Sequence, residues 1–463
     1  MARRRGAVVP QRGAGARQRG AVATGRPATS PDDEAARERA ALDWLMRFSD
    51  PERGIGWNPR SSRAPRWRLG RMGRLLETLG RPDRGMDCVV IAGTKGKGST
   101  AAFLASALHA AGVRAGLFNS PHLQDYRERV RIDGEMIAPG AFADAVRRLR
   151  PAVSALRRSA PAGGEPTTYE LTLALALRAF ADARCAIAVI EVGLGGTQDA
   201  ANALEPVVSV ITSIGYDHTA ILGRTLAAIA MQKAGIMRRG RPAIIAVQRP
   251  AAAAALRRAC VTAGALCTIV PPHREGVLGL TGAHQEQNAA LARAAATELG
   301  RLGHHLTGKA VARGLAAARW PGRFELVRGR PLIVLDGAHN GSSAEALADT
   351  LRREYPGRAV RLVIGINVDK DASAVLRPLL PVCASVTVTA STSARARSVA
   401  DLARACGRLA RVPLEAAPNV EAAIRLARAR TGPRDVLCVT GSLAVVGDAR
   451  SALGLPALVR LWN

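Results

Sequence analysis

A glycine-rich segment at residues 93–100 contains the residue types that bind a polyphosphate. It reads Gly-Thr-Lys-Gly-Lys-Gly-Ser-Thr and lies between an apolar run at 88–92 and a predicted helix at 100–111. Glycines let backbone N–H groups face phosphate oxygens, and the N-terminus of a helix favours negative charge. Lys97 would neutralise the β- and γ-phosphates, and the hydroxyl of Ser99 or Thr100 would bind Mg²⁺. We predict a nucleotide-binding loop, with an ordinary strand-to-helix turn as the alternative.

Three later segments place polar residues directly after apolar runs that are predicted strands. Glu191 follows the run at 187–190 and precedes a cluster of glycines, Ser120 follows the run at 115–118, and His218 ends the segment that closes the run at 207–212. A carboxylate at the carboxyl end of a parallel strand points into the ligand crevice, where it suits a hard cation. Each segment alone is equally typical of a polar turn or a helix cap.

Arginine carries almost all of the positive charge of this chain. Lys+Arg is 66 against an Asp+Glu count of 37, a formal net charge of +29, yet only five residues are lysine (Lys95, Lys97, Lys233, Lys309 and Lys370). Such a balance can indicate nucleic-acid binding, but the arginines are scattered and aromatic residues for base stacking are scarce, at 3%. We therefore expect anionic small-molecule substrates and no nucleic-acid partner, with a basic ATPase acting on nucleic acid as the alternative. Where arginine supplies general charge, a lysine indicates a role that arginine cannot fill.

The phosphate loop resembles the GTxGKGS loop of the Mur-ligase superfamily and, within it, of the folylpolyglutamate and dihydrofolate synthases. Lys95 stands where that family usually has asparagine, and Gln232 where it usually has glutamate. Six further segments resemble the family's motifs in the same order: 119–123 (TSPHL), 127–134 (ERIRING), 232–236 (EKAGI), 282–290 (HQxxNAA), 320–325 (WPGRFE) and 336–340 (DGAHN).

The resemblance implies an ATP- and Mg²⁺-dependent amide ligase that joins L-glutamate to dihydropteroate, to a reduced folate, or to both. ATP would convert the acceptor carboxylate to an acyl phosphate, which the amine of glutamate would attack. A ligase of the same superfamily that acts on a non-folate carboxylate is the alternative. The acyl phosphate hydrolyses readily, so two domains are expected to close over it and exclude water.

The resemblance also implies roles for individual residues. Two Mg²⁺ ions would be held by Ser99, Ser120, Glu191, His218 and Lys233, the last as a carbamate that arginine could not form. The nucleotide would be bound by Thr94, Lys95, Gly96, Lys97, Gly98, Ser99, Thr100, Asn288, Arg323 and Asp336. Lys97, Lys233 and His339 would be catalytic, with His339 and Ser442 near the incoming glutamate.

Two segments depart from the family pattern around the acceptor. Residues 167–170 align with a TxFE stretch that contacts the pterin, so the resemblance places Thr167, Thr168, Tyr169 and Glu170 at the substrate, with tyrosine in place of phenylalanine. Residues 197–202 align with RLDATN, and Gln198 stands where the family commonly has leucine. These changes leave the identity of the acceptor open.

The order of predicted elements indicates an α/β fold. Residues 1–40 form a basic tail of low complexity, and residues 41–313 alternate strands and helices as in a P-loop domain with a mostly parallel sheet. Residues 314–463 restart the alternation and predict a smaller, Rossmann-like domain. No apolar run is long enough to span a membrane. We expect a cytoplasmic monomer whose 7 Cys are reduced, with a transit peptide in the tail as a further alternative.

Overall fold

The structure is a computed structural model, and it describes residues 31–50, 69–159, 165–273 and 276–462. Most of the predicted basic tail, residues 1–30, lies outside the described residues. The predicted end of the tail at residue 40 differs from the structure, because the first helix already begins at Pro31. Three acidic residues, Asp32, Asp33 and Glu34, lie in its first turn. The positive end of the helix dipole stabilises their negative charge, so the sequence favours a helix start here.

A large sheet forms the centre of the first domain. Its strands are β1 (Asp87–Ala92), β2 (Ala115–Phe118), β3 (Val130–Ile132), β4 (Glu135–Met136), β5 (Ile187–Glu191), β6 (Val208–Ile211), β7 (Pro242–Ala246) and β8 (Leu266–Val270). They are arranged in the order β4-β3-β2-β5-β1-β6-β7-β8, with all pairs parallel except those that β3 makes. β1 and β5 are almost wholly apolar and buried along their length, because helices cover both faces of a parallel sheet.

In the described residues of this domain, ten helices surround the sheet in two layers. They are α1 (Pro31–Leu45), α2 (Leu69–Thr78), α3 (Lys97–Ala110), α4 (Pro139–Ser159), α5 (Thr168–Asp182), α6 (Thr219–Leu222), α7 (Leu226–Ala234), α8 (Pro250–Ala263), α9 (His284–Arg301) and α10 (Gly308–Ala317). The alanine-rich α3 packs between α9 and α10 on one face, and α2, α4 and α5 pack together on the other. Small side chains let these helices approach closely, which compensates for the shortage of aromatic residues.

The second domain repeats the design on a smaller scale. Its strands are β9 (Glu325–Val327), β10 (Leu332–Leu335), β11 (Val360–Ile364), β12 (Ser385–Val388), β13 (Leu414–Ala416) and β14 (Val436–Thr440), in the order β13-β12-β11-β14-β10-β9. Only the pairing of β9 with β10 is antiparallel. The helices are α11 (Gly341–Glu354), α12 (Ala372–Leu379), α13 (Val399–Gly407), α14 (Val420–Ala429) and α15 (Leu443–Ala452). The predicted α/β class, with a mostly parallel sheet in each domain, is confirmed.

The structure divides the chain differently from the prediction at residue 314. Gly314 lies within α10, and the packing of α10 on α3 places this helix in the first domain. The end of the chain also returns to the first domain, where Met136 N donates to Val459 O at 2.7 Å and Leu461 N donates to Gly134 O at 3.1 Å. The connection at 318–324 and this returning segment therefore both join the domains, so the chain crosses between them twice.

The prediction that all cysteines are reduced is wrong for one pair. Cys260 at the end of α8 and Cys267 in β8 form a disulfide, with a Cα–Cα distance of 6.2 Å. They are seven residues apart in sequence, and the turn at Gly264, whose φ is 63°, brings the helix end back against the edge strand. The other five cysteines are buried thiols (Cys88, Cys185, Cys383, Cys406 and Cys438).

The crossing of α10 over α3 gives a direct test of the helix packing. A Cβ atom at Gly314 would lie 2.4 Å from Ala107 Cα, whereas a Cβ at Gly300 in α9 would meet no atom within 4 Å. We expect Gly314→Ala to lower the free energy of unfolding by about 1–3 kcal/mol through overpacking. Gly300→Ala is the matched control and should raise it by up to about 1 kcal/mol. Denaturant unfolding measures both, and equal stability of the two variants would contradict this packing.

Candidate active site

The glycine-rich segment forms the predicted turn between β1 and α3. Gly96 caps α3 in the left-handed region, with φ at 89°, and α3 begins at Lys97 rather than at residue 100. A Cβ at Gly96 would lie 2.2 Å from Asn288 Oδ1, so Asn288 of α9 packs directly on the loop. Thr94 fixes the loop from the other side, because its hydroxyl donates to Gly215 O at 3.1 Å. The turn and the amino end of α3 thus face the crevice, as a phosphate site requires.

Glu191 and Ser120 lie together beside this loop. Lys97 Nζ is 3.8 Å from Glu191 Oε1, and the Glu191 side chain is buried at the end of β5. One cavity is lined by Gly98, Ser120 and Glu191 from the first domain and by residues of the connecting segment and the second domain, among them Trp320, Arg323 and Leu443. In the sequence, Ser120 and Glu191 are two separate candidates for oxygen ligands of a metal ion. The fold brings both of them to one cavity.

The oxygen atoms around this cavity fit a hard divalent cation. Asn119 Oδ1 and Thr100 Oγ1 are buried without a hydrogen-bond partner, and Asn119 lines the cavity beside Ser120. Buried polar atoms of this kind are rare unless an ion, water or ligand satisfies them. In the described part of the chain, no three His, Cys, Asp or Glu side chains converge. His218 lies farther out, at the exposed start of α6.

Lys233 lies beneath the phosphate loop. It is buried in α7, and its Nζ donates to Gly93 O at 2.7 Å. Burial, with the nearby charge of Lys97, lowers the pKa of the Lys233 amine to about 7. A lysine with such a pKa has a substantial neutral fraction near physiological pH, and only the neutral amine reacts with CO₂.

Asp336 and Arg323 meet where the second domain faces the crevice. Asp336 follows β10 and accepts hydrogen bonds from Phe324 N at 2.8 Å and Ala338 N at 2.9 Å. Burial raises the pKa of its carboxyl, and the Arg323 guanidinium opposes that rise. A Cβ at Gly337 would lie 2.7 Å from Arg323 Nη1, so this glycine leaves room for the guanidinium. Asp336 therefore shapes the turn that holds Arg323 on the cavity.

A cluster of charged groups joins the two domains next to the phosphate loop. Lys95 Nζ donates to Asp217 Oδ2 at 3.0 Å and lies 3.2 Å from His339 Nε2. Lys370 Nζ and Asn340 Nδ2 of the second domain also donate to Asp217, at 3.2 Å and 3.0 Å. Burial opposes ionisation of Asp217, but Lys95, His218 and Lys370 together hold the pKa of its carboxyl far below the usual value.

Three of the residues predicted at the acceptor lie inside the fold instead. Thr167 caps α5 by accepting from Glu170 N at 3.2 Å, and Thr168 Oγ1 donates to Leu45 O at 3.2 Å. Glu170 forms a buried ion pair with Arg71 Nη2 at 2.8 Å. Their polar atoms bind protein partners, so the prediction that these three residues contact substrate is not supported by their placement.

Tyr169 supports the loop that follows Glu191, and the remaining predicted residues lie on that loop or at a helix start. The Tyr169 hydroxyl accepts from Gly193 N at 2.8 Å and lies 3.1 Å from Glu191 O and 3.3 Å from Asp199 Oδ1. The hydroxyl that distinguishes this residue from phenylalanine therefore holds the loop that follows Glu191. Gln198 is exposed on that loop, and Ser442 caps α15 by accepting from Val445 N at 3.1 Å.

Sequence reasoning assigned no role to several residues that complete the site. Lys370 carried a usable signal, because it is one of only five lysines in the chain, and four of these lie in or beneath the crevice. In the sequence, Asp217 and Asn340 stand out only because they are adjacent to His218 and His339. Nothing in the sequence beyond their motifs indicates that Asn119 and Trp320 line the cavity, because their exposure to it depends on the tertiary structure.

The fold and the site together define a Mur-type ligase. It has two α/β domains with mostly parallel sheets, a phosphate loop at one side of the crevice and an arginine-bearing turn at the other. The Mur ligase middle domain matches residues 91–265, and the Mur ligase glutamate ligase domain matches residues 322–443. This chain belongs to the dihydrofolate synthase/folylpolyglutamate synthase family. It is accordingly a ligase that forms a carbon–nitrogen bond.

Individual relatives cover nearly the whole of this chain. The dihydrofolate synthase/folylpolyglutamate synthase of Bacillus subtilis is 34% identical over 411 residues, which span 83% of this chain and 94% of that protein. The Mycobacterium tuberculosis folylpolyglutamate synthase complexed with ADP has a TM-score of 0.83 at 33% identity and covers 92% of this chain and 100% of its own. The bifunctional enzyme of Yersinia pestis complexed with AMPPNP and Mn ion has a TM-score of 0.75 at 28% identity, with 90% and 98% covered.

The position of Glu170 gives a test that separates a structural from a substrate role. Glu170→Gln removes the charge that compensates buried Arg71, so we expect the free energy of unfolding to fall by about 3 kcal/mol. The Michaelis constant for the acceptor should stay unchanged.

The control is Asp349→Asn, which removes the acid of an exposed pair with Arg352 and should change the stability by less than about 0.5 kcal/mol. Denaturant unfolding and steady-state kinetics measure the two effects. A raised Michaelis constant with normal stability would place Glu170 at the substrate after all.

Proposed function

We propose that this chain uses ATP to add L-glutamate to both dihydropteroate and a reduced folate. The observation that carries the proposal is the single cavity beside the phosphate loop, where Ser120 and Glu191 of the first domain face Arg323 of the connecting segment. Relatives that carry both synthase names support the two acceptors. One bound nucleotide could reach both sides of this cavity, which is what transfer of its terminal phosphate to a second substrate requires.

The nucleotide would be held from both domains. Backbone N–H groups of residues 94–100 and the amino end of α3 would bind the phosphates, with Lys97 against the γ-phosphate. Asn288 would bind beside the loop and Arg323 from the opposite side, while Asp336 keeps Arg323 in place. Ser120 and Glu191, with Ser99 or Thr100, would hold one Mg²⁺ ion, and His218 and Lys233 would hold a second. The two ions would neutralise charge on the transferred phosphoryl group.

The reaction would proceed in two steps within the closed crevice. The acceptor carboxylate attacks the γ-phosphate, so that an acyl phosphate forms and ADP leaves. The amine of glutamate then attacks the acyl carbon, and phosphate leaves from a tetrahedral intermediate. The protein supplies no nucleophile; its residues orient the reactants and stabilise developing negative charge. The connecting segment with Trp320 and the returning C-terminus close the sides of the cavity and keep water from the acyl phosphate.

One chain contributes all the groups proposed for this site, and we therefore propose that the enzyme acts as a monomer. A cytoplasmic location stays a prediction. None of the helices in the described part of the chain has the length and apolar content needed to cross a lipid bilayer. A superfamily ligase for a non-folate carboxylate is the second candidate, because Tyr169 and Gln198 alter the family pattern in segments that the resemblance places around the acceptor.

Product analysis with separate acceptors tests this proposal. Purified protein is incubated with ATP, Mg²⁺ and glutamate, and either dihydropteroate or tetrahydrofolate is added. We expect each product to be heavier by one glutamyl residue in mass spectrometry, with phosphate released only when acceptor and glutamate are both present. Phosphate release with a different carboxylate, and none with either pterin compound, would favour the second candidate. Phosphate release that does not depend on glutamate but increases with added nucleic acid would contradict the ligase assignment.

The environment of Lys233 predicts that its amine is carbamylated in the active enzyme. With labelled bicarbonate, carbon-13 NMR should show a carbamate signal that is absent from Lys233→Arg. Lys233→Ala should lose activity by about 100-fold, the scale for loss of a metal-supporting group. A short carboxylate such as acetate should restore part of that activity, because it replaces the missing carboxylate of the carbamate.

Lys309→Arg is the control, since Lys309 is exposed on α10 and should be unaffected by acetate. Full activity of Lys233→Arg would show that positive charge alone suffices at this position, and the carbamate proposal would fail.

A further inference from the structure

The phosphate loop carries two lysines whose side chains bind on different sides of the crevice. Lys97 Nζ lies 3.8 Å from Glu191 Oε1, on the side of the predicted metal ligands. Lys95 lies two residues earlier, before the left-handed turn at Gly96, and its Nζ binds Asp217 and contacts His339 of the second domain. The two ammonium groups therefore cannot be treated as equivalent phosphate ligands.

Lys95 is one of several partners of the Asp217 carboxylate. This carboxylate also accepts from Lys370 Nζ at 3.2 Å, from Asn340 Nδ2 at 3.0 Å and from His218 N at 3.0 Å. Lys370 is shared in turn with Asp369, whose Oδ2 lies 3.6 Å from its Nζ. The Lys95 ammonium has a second side-chain partner of its own, the ring of His339 at 3.2 Å.

The contacts of His339 define which ring nitrogen faces Lys95. Nδ1 lies 2.8 Å from Gly337 O, and a carbonyl oxygen accepts only, so Nδ1 carries the proton. Nε2 then offers its lone pair to the Lys95 ammonium. Burial, together with the Lys95 charge, holds the pKa of His339 well below its usual value, so the ring stays neutral. The turn at Gly337 and the lysine thus fix both the tautomer and the direction of this imidazole.

We propose that Lys95 is a positioning residue for the addition of glutamate: it couples the phosphate loop of the first domain to His339 of the second and fixes the orientation of that imidazole beside the incoming glutamate. The inference rests on the proposed function, in which His339 lies near glutamate. Asparagine, which the family usually has at this position, is shorter and uncharged, and could not bring an ammonium to His339. Glutamate would enter beside an imidazole held in one orientation and beside the Lys95 ammonium, whose charge suits its carboxylates.

Steady-state kinetics of Lys95→Met test the coupling. Loss of a charge-assisted contact should raise the Michaelis constant for glutamate about tenfold or more, while that for ATP changes less than about twofold. The affinity for ADP, measured by calorimetry without acceptor or glutamate, should stay that of the wild type. Lys309→Met, an exposed lysine of α10, is the matched control and should leave all three constants unchanged.

A double-mutant cycle with His339→Gln shows whether Lys95 acts through the ring. In the His339→Gln background, Lys95→Met should have little further effect, because the group that it positions is already absent. Nitrogen-15 NMR of the imidazoles adds a readout that is independent of the acceptor. One ring should keep its Nδ1 proton in Lys95→Met but shift at Nε2, and this ring should be missing from His339→Gln.

The outcomes separate this inference from the proposed function. A raised Michaelis constant for ATP and weaker ADP binding, with glutamate unaffected, would make Lys95 a phosphate ligand and overturn the inference. Additive effects in the cycle, or unchanged imidazole spectra, would also overturn it. Should Lys95→Met fail to fold, Lys95→Asn is measured in its place with the same expectations. If the wild type extends no folate acceptor, the proposed function fails, yet the calorimetry and the spectra still report on the Lys95–His339 contact.

Discussion

The direction of parallel strands is the constraint on which the whole site depends. In a parallel sheet all carboxyl ends lie at one edge, so the loops that follow them come together however far apart they are in sequence. Here the phosphate loop follows β1, Glu191 ends β5 and Asp217 follows β6. In the second domain Asp336 and His339 follow β10, and Ser442 follows β14. Two such edges that face each other produce the crevice, and no special loop structure is needed to gather these residues.

The charge distribution across the crevice follows from this geometry. A chain with a formal net charge of +29 has ample arginine for its surface, yet the crevice uses lysine at four positions. A lysine can lose its proton when buried, can react with CO₂ and can place a compact charge between two domains; a planar guanidinium does none of these. Buried Lys233 and half-buried Lys95 show the effect, because burial lowers the pKa of their amines to about 7 and about 8.

The connections between the domains give this arrangement its stability. Arg450 of α15 is fully buried, and its guanidinium binds Gln124 of the first domain, Glu325 of β9 and the carbonyl of Pro456. The returning segment then pairs with the first domain through Val459 and Leu461. Gln124, Arg450 and Leu461 themselves line the cavity, so the contacts that join the domains also hold the walls of the site.

Much of the fold could be predicted because its signals are local. Apolar runs of four to six residues mark the central strands, and glycines with positive φ, such as Gly96, mark the turns that follow them. The sequence also determined which side chains have chemistry to perform, since a lysine among 66 basic residues or a glutamate after a buried strand is visible without a structure. The alternation of strands and helices determined the two-domain α/β design.

Only the tertiary structure decided which polar residues serve the site and which serve the fold. Thr167, Thr168 and Glu170 lie beside a motif, yet their partners are a helix end and a buried arginine. Lys95 and Lys370 lie far apart in sequence, yet they share one carboxylate. The reason is physical: a motif fixes residue types and local backbone, whereas a side chain's role depends on which distant groups are within about 3 Å, and chain packing alone sets those distances.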